Sequence, residues 1–244
     1  MNARVTLATA RRVLSQLRHD HRTLAMLIVV PCVLLGLLAW VFDGTGTFDR
    51  IGAPLLGIFP FVVMFLVTSV ATLRERTSGT LERLLTMPIG KLDLLVGYAL
   101  AFGLVAAVQA TVATTLCVTL LGLDVAGPVW LLLVVAVLDA VLGMALGLLV
   151  SAFAATEFQA VQFMPAFVLP QFLLSGLLVP RDRMDDVLQA VSNVLPLSYA
   201  VDAMRDLSVR EGVAPGAWSD VFVIGLSIVL ALGLGAATLR RRTP

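Results

Sequence analysis

Long apolar runs limit this chain to a small number of folds. A helix crosses a bilayer with roughly 20 mostly apolar residues, because about 30 Å of hydrocarbon is spanned at about 1.5 Å per residue. Six runs meet this requirement: residues 24–42, 53–73, 94–122, 127–152, 161–179 and 218–239. Hydrophobic residues make up 59% of the chain and charged residues only 14%, unlike a soluble domain. We therefore predict an all-α polytopic membrane protein with six transmembrane helices.

Basic residues lie unevenly on the two sides of these runs. With the N-terminus placed inside, twelve of the seventeen basic residues fall in segments 1–23, 74–93, 153–160 and 240–244. Arg and Lys concentrate in cytoplasmic loops, so both termini are predicted to be cytoplasmic. The first 22 residues lack the layout of a cleavable signal peptide, and we interpret the first run as a retained span.

The first 23 residues have the spacing of an amphipathic helix. One face is basic and the opposite face is apolar. The faces are formed by Arg4, Arg11, Ser15, Arg18 and Arg22, and by Thr6, Ala10, Val13, Leu17 and Leu24. Such a helix either lies in the inner-leaflet interface, acts as a topology signal, or does both. Residues 24–239 are predicted to form the transmembrane domain and residues 240–244 a cytoplasmic tail.

The fourth predicted span carries a charged residue, Asp139. A charge near mid-membrane costs about 2.5–3.5 kcal/mol on insertion scales, so Asp139 is expected to face a cavity, a subunit contact or a polar partner. Either a role in the transport pathway or a structural packing role is compatible with this position. Gly143 and Gly147 on the same span predict a face for close helix packing.

The connections between the spans are mostly short. We interpret Asp43–Gly52 and Asp124–Pro128 as outer turns and Thr156–Gln162 as a tight inner turn. Pro165 and Pro170 make an uninterrupted fifth helix unfavourable unless neighbours satisfy the freed carbonyls.

The segment at about 180–217 is the one long outer connection. Val187, Leu188, Val191, Val194 and Leu195 follow a helical spacing, Pro196 breaks the pattern, and a second helix is expected over about 197–209. We expect two half-helices that dip into the membrane from outside, with a surface helical hairpin as the alternative.

The stretch Arg74–Asp93 is the longest polar interruption in the first two-thirds of the chain. Ser78 can cap a short helix over residues 79–86, which Pro88 would stop. Two helical turns are too short to be stable alone, so this helix would need a partner. Its apolar side chains with flanking charges suit a groove on another protein. A charged loop that only fixes topology is the other interpretation.

Several function classes have little support in the sequence. There is no G-x-x-x-x-G-K-[ST] motif, and Gly90–Lys91 is followed by leucine, so the chain has no P-loop of its own. Both histidines lie in the N-terminal segment, which leaves no zinc-protease motif or His-based triad within the spans. Cys32 and Cys117 lie in apolar runs without metal-ligand spacing and are expected to be core residues. An intramembrane enzyme and a nucleic-acid-binding protein are both poorly supported.

Two motifs in the chain carry a family resemblance. The first is the stretch R-E-x-x-x-G-T-L-E-x-L-L-x-x-P, formed by Arg74, Glu75, Gly79, Thr80, Leu81, Glu82, Leu84, Leu85 and Pro88. It resembles the segment of ABC-2 type permeases that docks on an ATP-binding subunit. A second stretch resembles the late family signature, P-L-x-Y-x5-R with its upstream segment. It is carried by Ser175, Gly176, Pro180, Pro196, Tyr199 and Arg205. Within the family the chain is most similar to daunorubicin-resistance-like drug-export permeases.

This resemblance implies a function and a set of partners. It implies an ABC-2 (type V exporter-like) fold with a coupling helix at about 74–93 and a re-entrant helical pair before the last span. It also implies a non-enzymatic transport subunit in a bacterial plasma membrane. Two ATP-binding subunits would hold ATP and Mg²⁺, and a second identical or homologous permease copy would complete the pathway, with membrane lipid around it and no nucleic acid. Export of a lipid or a lipid-linked glycan is an alternative to drug export, and an ion-coupled carrier that uses Asp139 is a distant one.

Overall fold

The computed structural model describes residues 2–78 and 90–238, and all regular secondary structure in this part of the chain is helical. The helices are α1 Ala3–His19, α2 His21–Val41, α3 Thr47–Thr77, α4 Lys91–Thr119, α5 Val129–Ser151, α6 Glu157–Leu174, α7 Asp186–Ser192, α8 Pro196–Val209 and α9 Ala217–Thr238. A short 3-10 turn, Arg181–Arg183, precedes α7. The all-α architecture predicted from the apolar runs is confirmed.

Five of the described helices are long and apolar enough to cross a membrane: α2, α3, α4 from Leu92, α5 and α9. They correspond to the first four predicted spans and the last one. The predicted fifth span, residues 161–179, corresponds to α6, which is shorter and begins and ends earlier, at Glu157 and Leu174. Its glutamate, prolines and glutamines keep α6 out of this group, so a sixth span stays a prediction.

The pairing of α3 with α5 forms the centre of the molecule. Gly143 and Gly147 of α5 lie directly against the backbone of α3, where an added Cβ would lie 2.2 Å from the Phe61 carbonyl oxygen and 2.5 Å from that of Phe65. The side chains of Phe61 and Phe65 are fully buried. The predicted small-residue packing face is thus confirmed, and it brings two backbones together at successive helical turns.

The other helices pack around this pair. The helix α1 lies on α4, and α9 lies on α5, while α8 packs against both α3 and α9. The most apolar windows of α2 and α9 are each only 17% buried, so both helices turn most of their apolar surface outward. That arrangement is typical of peripheral helices whose exposed faces meet lipid or another subunit.

The N-terminal helix forms as predicted, although it is shorter. The predicted apolar residues Thr6, Ala10, Val13 and Leu17 are buried. The helix ends at His19 because the carboxylate of Asp20 accepts hydrogen bonds from the N–H of Thr23 (3.1 Å) and from its hydroxyl (2.7 Å), and so caps α2. Residues 22 and 24, which were assigned to the first helix, therefore belong to α2.

Several predicted turns are shorter than expected. The first outer turn is confined to residues 42–46, where Gly44 and Gly46 adopt positive φ angles of 70° and 65°, and residues 47–52 already belong to α3. The tight inner turn lies at residues 152–156, because the Thr156 side chain accepts a hydrogen bond from the Gln159 N–H and starts α6. These corrections extend two helices toward their N-termini.

Prolines within the helices are tolerated better than predicted. The helix α6 runs through Pro165 and Pro170 without interruption, so the expected break is wrong. In α2, Pro31 removes the N–H that would bond the carbonyl of Leu27. The buried amide of Gln109 on α4 donates to that Leu27 oxygen at 2.6 Å. A neighbouring helix therefore satisfies the acceptor that the proline leaves free.

Candidate functional site

Two regions carry the motif residues, and the inner one joins α3 to α4. Residues 74–93 were predicted as the inner connection between two spans, but α3 continues to Thr77 and α4 begins at Lys91, so both ends of this stretch are helical. The motif residues Gly79, Thr80, Leu81, Glu82, Leu84, Leu85 and Pro88, and the helix predicted over 79–86, lie outside the described residues. Ser78 follows α3, and its hydroxyl donates to the Glu75 carbonyl oxygen at 3.1 Å.

The end of α3 is held by the N-terminal helix. The guanidinium of Arg12 donates to both carboxylate oxygens of Glu75, at 3.2 and 3.1 Å, and to the Tyr98 hydroxyl at 2.9 Å. The same guanidinium lies 5.7 Å from the centre of the Tyr98 ring. A bidentate, charge-assisted pair of this kind fixes orientation as well as distance. The helix α1 is thereby joined to α3 and to α4 through a single side chain.

The start of α4 is held by the same helix. The buried carboxylate of Asp93 accepts a hydrogen bond from the Asn2 backbone N–H at 2.8 Å and from the Thr6 hydroxyl at 3.4 Å. One turn further along α4, Gly97 lets α1 approach closely, since an added Cβ would lie 2.6 Å from the Thr9 Cβ. Contacts from α1 therefore hold both helices that flank residues 78–90.

Two further arginines connect the end of α3 to the α5–α6 turn. Arg74 forms a bidentate ion pair with Glu157, at 3.0 and 3.2 Å, and this hydrogen bonding lowers the pKa of Glu157 below its ordinary value. Arg76 donates to the Ser151 carbonyl oxygen at the end of α5. The Arg74–Glu157 pair is largely exposed and therefore contributes little stability on its own. The two contacts nevertheless fix where the α3 terminus lies.

A cleft of about 340 Å³ lies between α1, α3 and α4 at this end of the molecule. Its wall is apolar where Val13, Leu17 and Phe102 line it, and polar where Asp20, Arg74 and Glu75 do. Within residues 2–78 and 90–238, no three His, Cys, Asp or Glu side chains are grouped so that they could hold a metal ion.

The second region brings the late-signature residues together at the other end of α6. Ser175 follows α6, and its hydroxyl donates to the Phe172 carbonyl oxygen at 2.8 Å. Gly176 has a φ of 90°, a conformation that favours glycine, and its carbonyl oxygen accepts a hydrogen bond from Arg205. Pro180 precedes the 3-10 turn, and Pro196 is the first residue of α8, where its missing N–H costs nothing.

Tyr199 holds the two outer helices together. Its hydroxyl donates to the Asn193 carbonyl oxygen at 2.7 Å, and the Arg181 guanidinium lies 4.9 Å from its ring centre. Arg181 also pairs with Asp202 and with the Asn193 side chain. Burial raises the pKa of Asp202, although the charge of Arg181 opposes this shift. Two helices separated by a three-residue link are therefore fixed as one unit.

Two serines that were not singled out from the sequence complete this attachment. The hydroxyls of Ser192 and Ser198 both donate to the Leu174 carbonyl oxygen, at 2.7 and 3.3 Å, and they lie 3.1 Å from each other. Leu174 ends α6, so its carbonyl lacks an intrahelical donor. The local signal that could have indicated the turn between α7 and α8 was Pro196, because proline is favoured at the first position of a helix. The predicted pair of helices before the last span is confirmed, whereas their location on the outer side and their depth in the membrane stay predictions.

Asp139 lies apart from both regions, at the junction of α3, α5 and α8. Its side chain is fully buried, and within the described residues neither carboxyl oxygen has a hydrogen-bond partner. Asp139 and Met204 can lie against α3 because residue 57 is glycine: a Cβ there would lie 3.0 Å from Asp139 Oδ2 and 2.8 Å from Met204 Sδ. No polar partner for Asp139 is found among the described residues, and its role in a pathway or a subunit contact stays a prediction.

Comparison with known proteins identifies the family. The model of the ABC-2 type transporter family matches residues 4–208, which is most of the chain. The chain belongs to the ABC-2 type transporter family. The match includes both motif regions and every described helix from α2 to α7.

Relatives of this ABC-2 chain include bacterial permeases and larger eukaryotic proteins. It is 27% identical over 188 residues to the probable multidrug ABC transporter permease YbhR of Escherichia coli strain K12, covering 77% of this chain and 51% of that protein. It is 26% identical over 182 residues to the probable multidrug permease YbhS of the same strain, covering 74% and 48%. It is also 26% identical over 162 residues to ABC transporter G family member 20 of Dictyostelium discoideum, covering 66% and 22%. The chain therefore spans about half, or less, of the length of these relatives.

Proposed function

We propose that this chain is the membrane-spanning permease subunit of an ATP-driven exporter for hydrophobic or amphipathic compounds such as drugs. The observation that carries this proposal is its membership of the ABC-2 family together with the way α1 holds both helices that flank residues 78–90. A push on that segment by an ATP-binding subunit would reach α3, α4 and α1 together. The multidrug names of the bacterial relatives support drugs as the substrate class.

The proposed assembly contains two permease copies and two ATP-binding subunits that hold ATP and Mg²⁺. It lies in a bacterial plasma membrane with both termini on the cytoplasmic side, as the distribution of basic residues predicts. ATP binding supplies the differential free energy that shifts the permease between inward-open and outward-open states. The late-signature residues, including Tyr199 and Arg205, would hold the outer helical pair that moves in this cycle.

A charge reversal in the coupling segment tests this proposal. Export of a hydrophobic dye is measured in intact cells that produce the tagged permease and its ATP-binding subunit. Their membranes are then solubilised in mild detergent, and co-purification of the two subunits and ATPase activity are measured. We expect Glu82→Arg to leave insertion intact and to abolish most export, and the combined replacement of Leu81, Glu82 and Leu84 to release the ATPase. The matched control is Asp182→Arg on the outer side, which should change none of the three.

The outcomes separate the candidate functions. If Glu82→Arg exports the dye and stimulates the ATPase as well as the parent protein does, the coupling role is refuted. A homo-oligomer that purifies without any ATPase would favour the ion-coupled carrier. If the ATPase is retained and dyes are not exported, a lipid or a lipid-linked glycan becomes the substrate to test.

A further inference from the structure

The buried carboxyl of Asp139 contributes no hydrogen bond to the packing of α5. Each oxygen is enclosed, and no donor or acceptor among the described residues reaches it. Buried polar groups in native proteins nearly always have partners, so an unpartnered one requires an explanation. Asp139 lies ten residues into α5, about 15 Å along the helix from its outer start, which places it deep in the membrane.

The surroundings of Asp139 favour its neutral form. An isolated carboxylate in an apolar interior is far more costly than the corresponding acid, so the group binds a proton instead. The charged residues on the helices that contact α5 are Asp49, Arg50, Arg74, Glu75, Arg76, Lys91, Asp93, Glu157, Asp202, Arg205, Asp206 and Asp220. Those of α3, α4, α6 and α9 lie in the first or last turns of their helices, away from the middle of α5.

The charged residues of α8 are engaged elsewhere. Asp202 pairs with Arg181, Arg205 donates to the Gly176 carbonyl oxygen, and Asp206 pairs with Arg210 at 3.6 Å. No counter-charge among the described residues therefore stabilises a carboxylate at Asp139. A proton is the ligand that this site can hold while α8 remains in place.

The geometry also shows what seals the site. Met204 of α8 and Asp139 of α5 both lie against Gly57 of α3, where an added Cβ would lie 2.8 Å from Met204 Sδ and 3.0 Å from Asp139 Oδ2. Three helices meet there, and each contributes one element: a glycine that leaves room, a carboxyl that fills part of it, and a thioether that covers it. If α8 moved away, the carboxyl of Asp139 would lose the cover that Met204 provides.

We propose that Asp139 is a proton-binding site that locks α8 onto α3 and α5. The acid is neutral while Met204 covers it, and it releases its proton to water when α8 leaves. The docked state binds one more proton than the undocked state, so acid favours docking and rising pH favours release. Through its titration range, the ratio of the two states changes by up to about tenfold per pH unit. This inference does not depend on the proposed transport function.

A thiol placed on α8 tests the lock. Ala200 is fully buried on α8, so Ala200→Cys, in a full-length chain whose native cysteines are replaced by alanine, reports release of that helix. Maleimide labelling in lipid nanodiscs is compared between the parent with Asp139 and the Asp139→Asn variant over a range of pH. Thiol ionisation affects both alike, so their ratio isolates the effect of Asp139. We expect the ratio to be near one in acid and to rise at least several-fold with pH.

One additional measurement tests the protonation of Asp139 directly. All sixteen Asp and Glu residues contribute to the infrared carbonyl band of protonated acids, so the band of Asp139 is taken as the difference between the parent and Asp139→Asn. We expect this difference to persist to a higher pH than the band of the exposed carboxyls. A labelling ratio that does not change with pH, or a difference band that disappears together with the band of the exposed carboxyls, would overturn the proposal.

Discussion

The contact between α3 and α5 makes a quantitative prediction for Gly143→Ala. The new methyl carbon would lie 2.2 Å from the Phe61 carbonyl oxygen and 2.8 Å from its carbon. Both helices meet here through backbone atoms, so no side-chain rotation relieves the contact. The two helices must separate by at least about 0.8 Å before the distance reaches the 3.0 Å that packed carbons tolerate.

The cost of Gly143→Ala follows from that separation. A gap of 0.5–1 Å forfeits about a quarter to a half of the dispersion energy of each contact across it. The fully buried rings of Phe61 and Phe65 lie along this interface, and overpacking in a dense core costs about 1–3 kcal/mol. We expect Gly143→Ala to destabilise the protein by about 3 kcal/mol, at the upper end of that range. Gly147→Ala, with a 2.5 Å approach to the Phe65 oxygen, should cost somewhat less.

Gly103→Ala on α4 is the matched control. Its added methyl group meets only the Met144 methyl carbon at 3.9 Å, an ordinary contact distance, so the variant should be as stable as the parent or more stable by up to about 1 kcal/mol, because alanine favours a helix interior over glycine. The assay is reversible unfolding of the purified protein in mixed micelles, followed by helical circular dichroism. If Gly143→Ala and Gly103→Ala unfold at the same detergent composition, the close approach of α3 and α5 is refuted.

Three further predictions concern single polar contacts, each measured by the same unfolding assay. Gln109→Leu should lower the free energy of unfolding by about 1–2 kcal/mol. This loss should largely vanish in a Pro31→Ala background, where the backbone N–H is restored. Equal losses in both backgrounds would contradict the capping role. Arg12→Ala should cost about 1–2 kcal/mol, and adding Glu75→Ala should cost little more, whereas additive effects would show that the pair is not coupled. Asp20→Ala should cost about 1 kcal/mol at neutral pH. Because hydrogen bonds from Thr23 lower the pKa of Asp20, this difference should disappear as the solution is acidified, and a difference that persists in strong acid would contradict it.

The main helices could be predicted because their signals are local. A run of about 20 apolar residues identifies a candidate span irrespective of its neighbours, and Gly143 and Gly147 at a four-residue spacing mark a packing face. The pair of helices before the last span was also predicted, because apolar spacing before Pro196 and the break at that proline are both local features. In each case the structure confirms the element, although the termini differ by several residues.

The contacts that satisfy polar groups could not be predicted in the same way. The sequence shows Pro31 and Gln109 separately, but only the packing of α2 against α4 reveals that the glutamine bonds the carbonyl freed by the proline. Likewise, Arg12 belonged to a predicted basic face, and its pairing with Glu75 depends on α1 lying against the end of α3. Long-range pairs of this type depend on helix adjacency, which periodicity does not contain.

Only part of the candidate site could be predicted, because its long-range partners also depend on which helices lie side by side. Gly176, Tyr199 and Arg205 were identified from a motif, and the structure brings them together around the end of α6. Their partners Arg181 and Asn193 lie outside the matched motif positions and were missed. The coupling residues 79–89 fall outside the described residues, so their assignment rests on the sequence motif and stays a prediction.

The continuity of α3 connects the two ends of the molecule. This single helix of 31 residues carries Gly57, where α8 and Asp139 meet it, and ends in the arginines and Glu75 that flank the proposed coupling segment. Because α3 is packed backbone to backbone on α5 at Gly143 and Gly147, the two helices cannot slide past each other without breaking both contacts. We therefore expect a displacement applied at Thr77 to be passed from α3 to α5. The junction with α8 is then the place where the α3–α5 pair can separate from the outer helical pair, and it is the place where a proton on Asp139 would hold the two together.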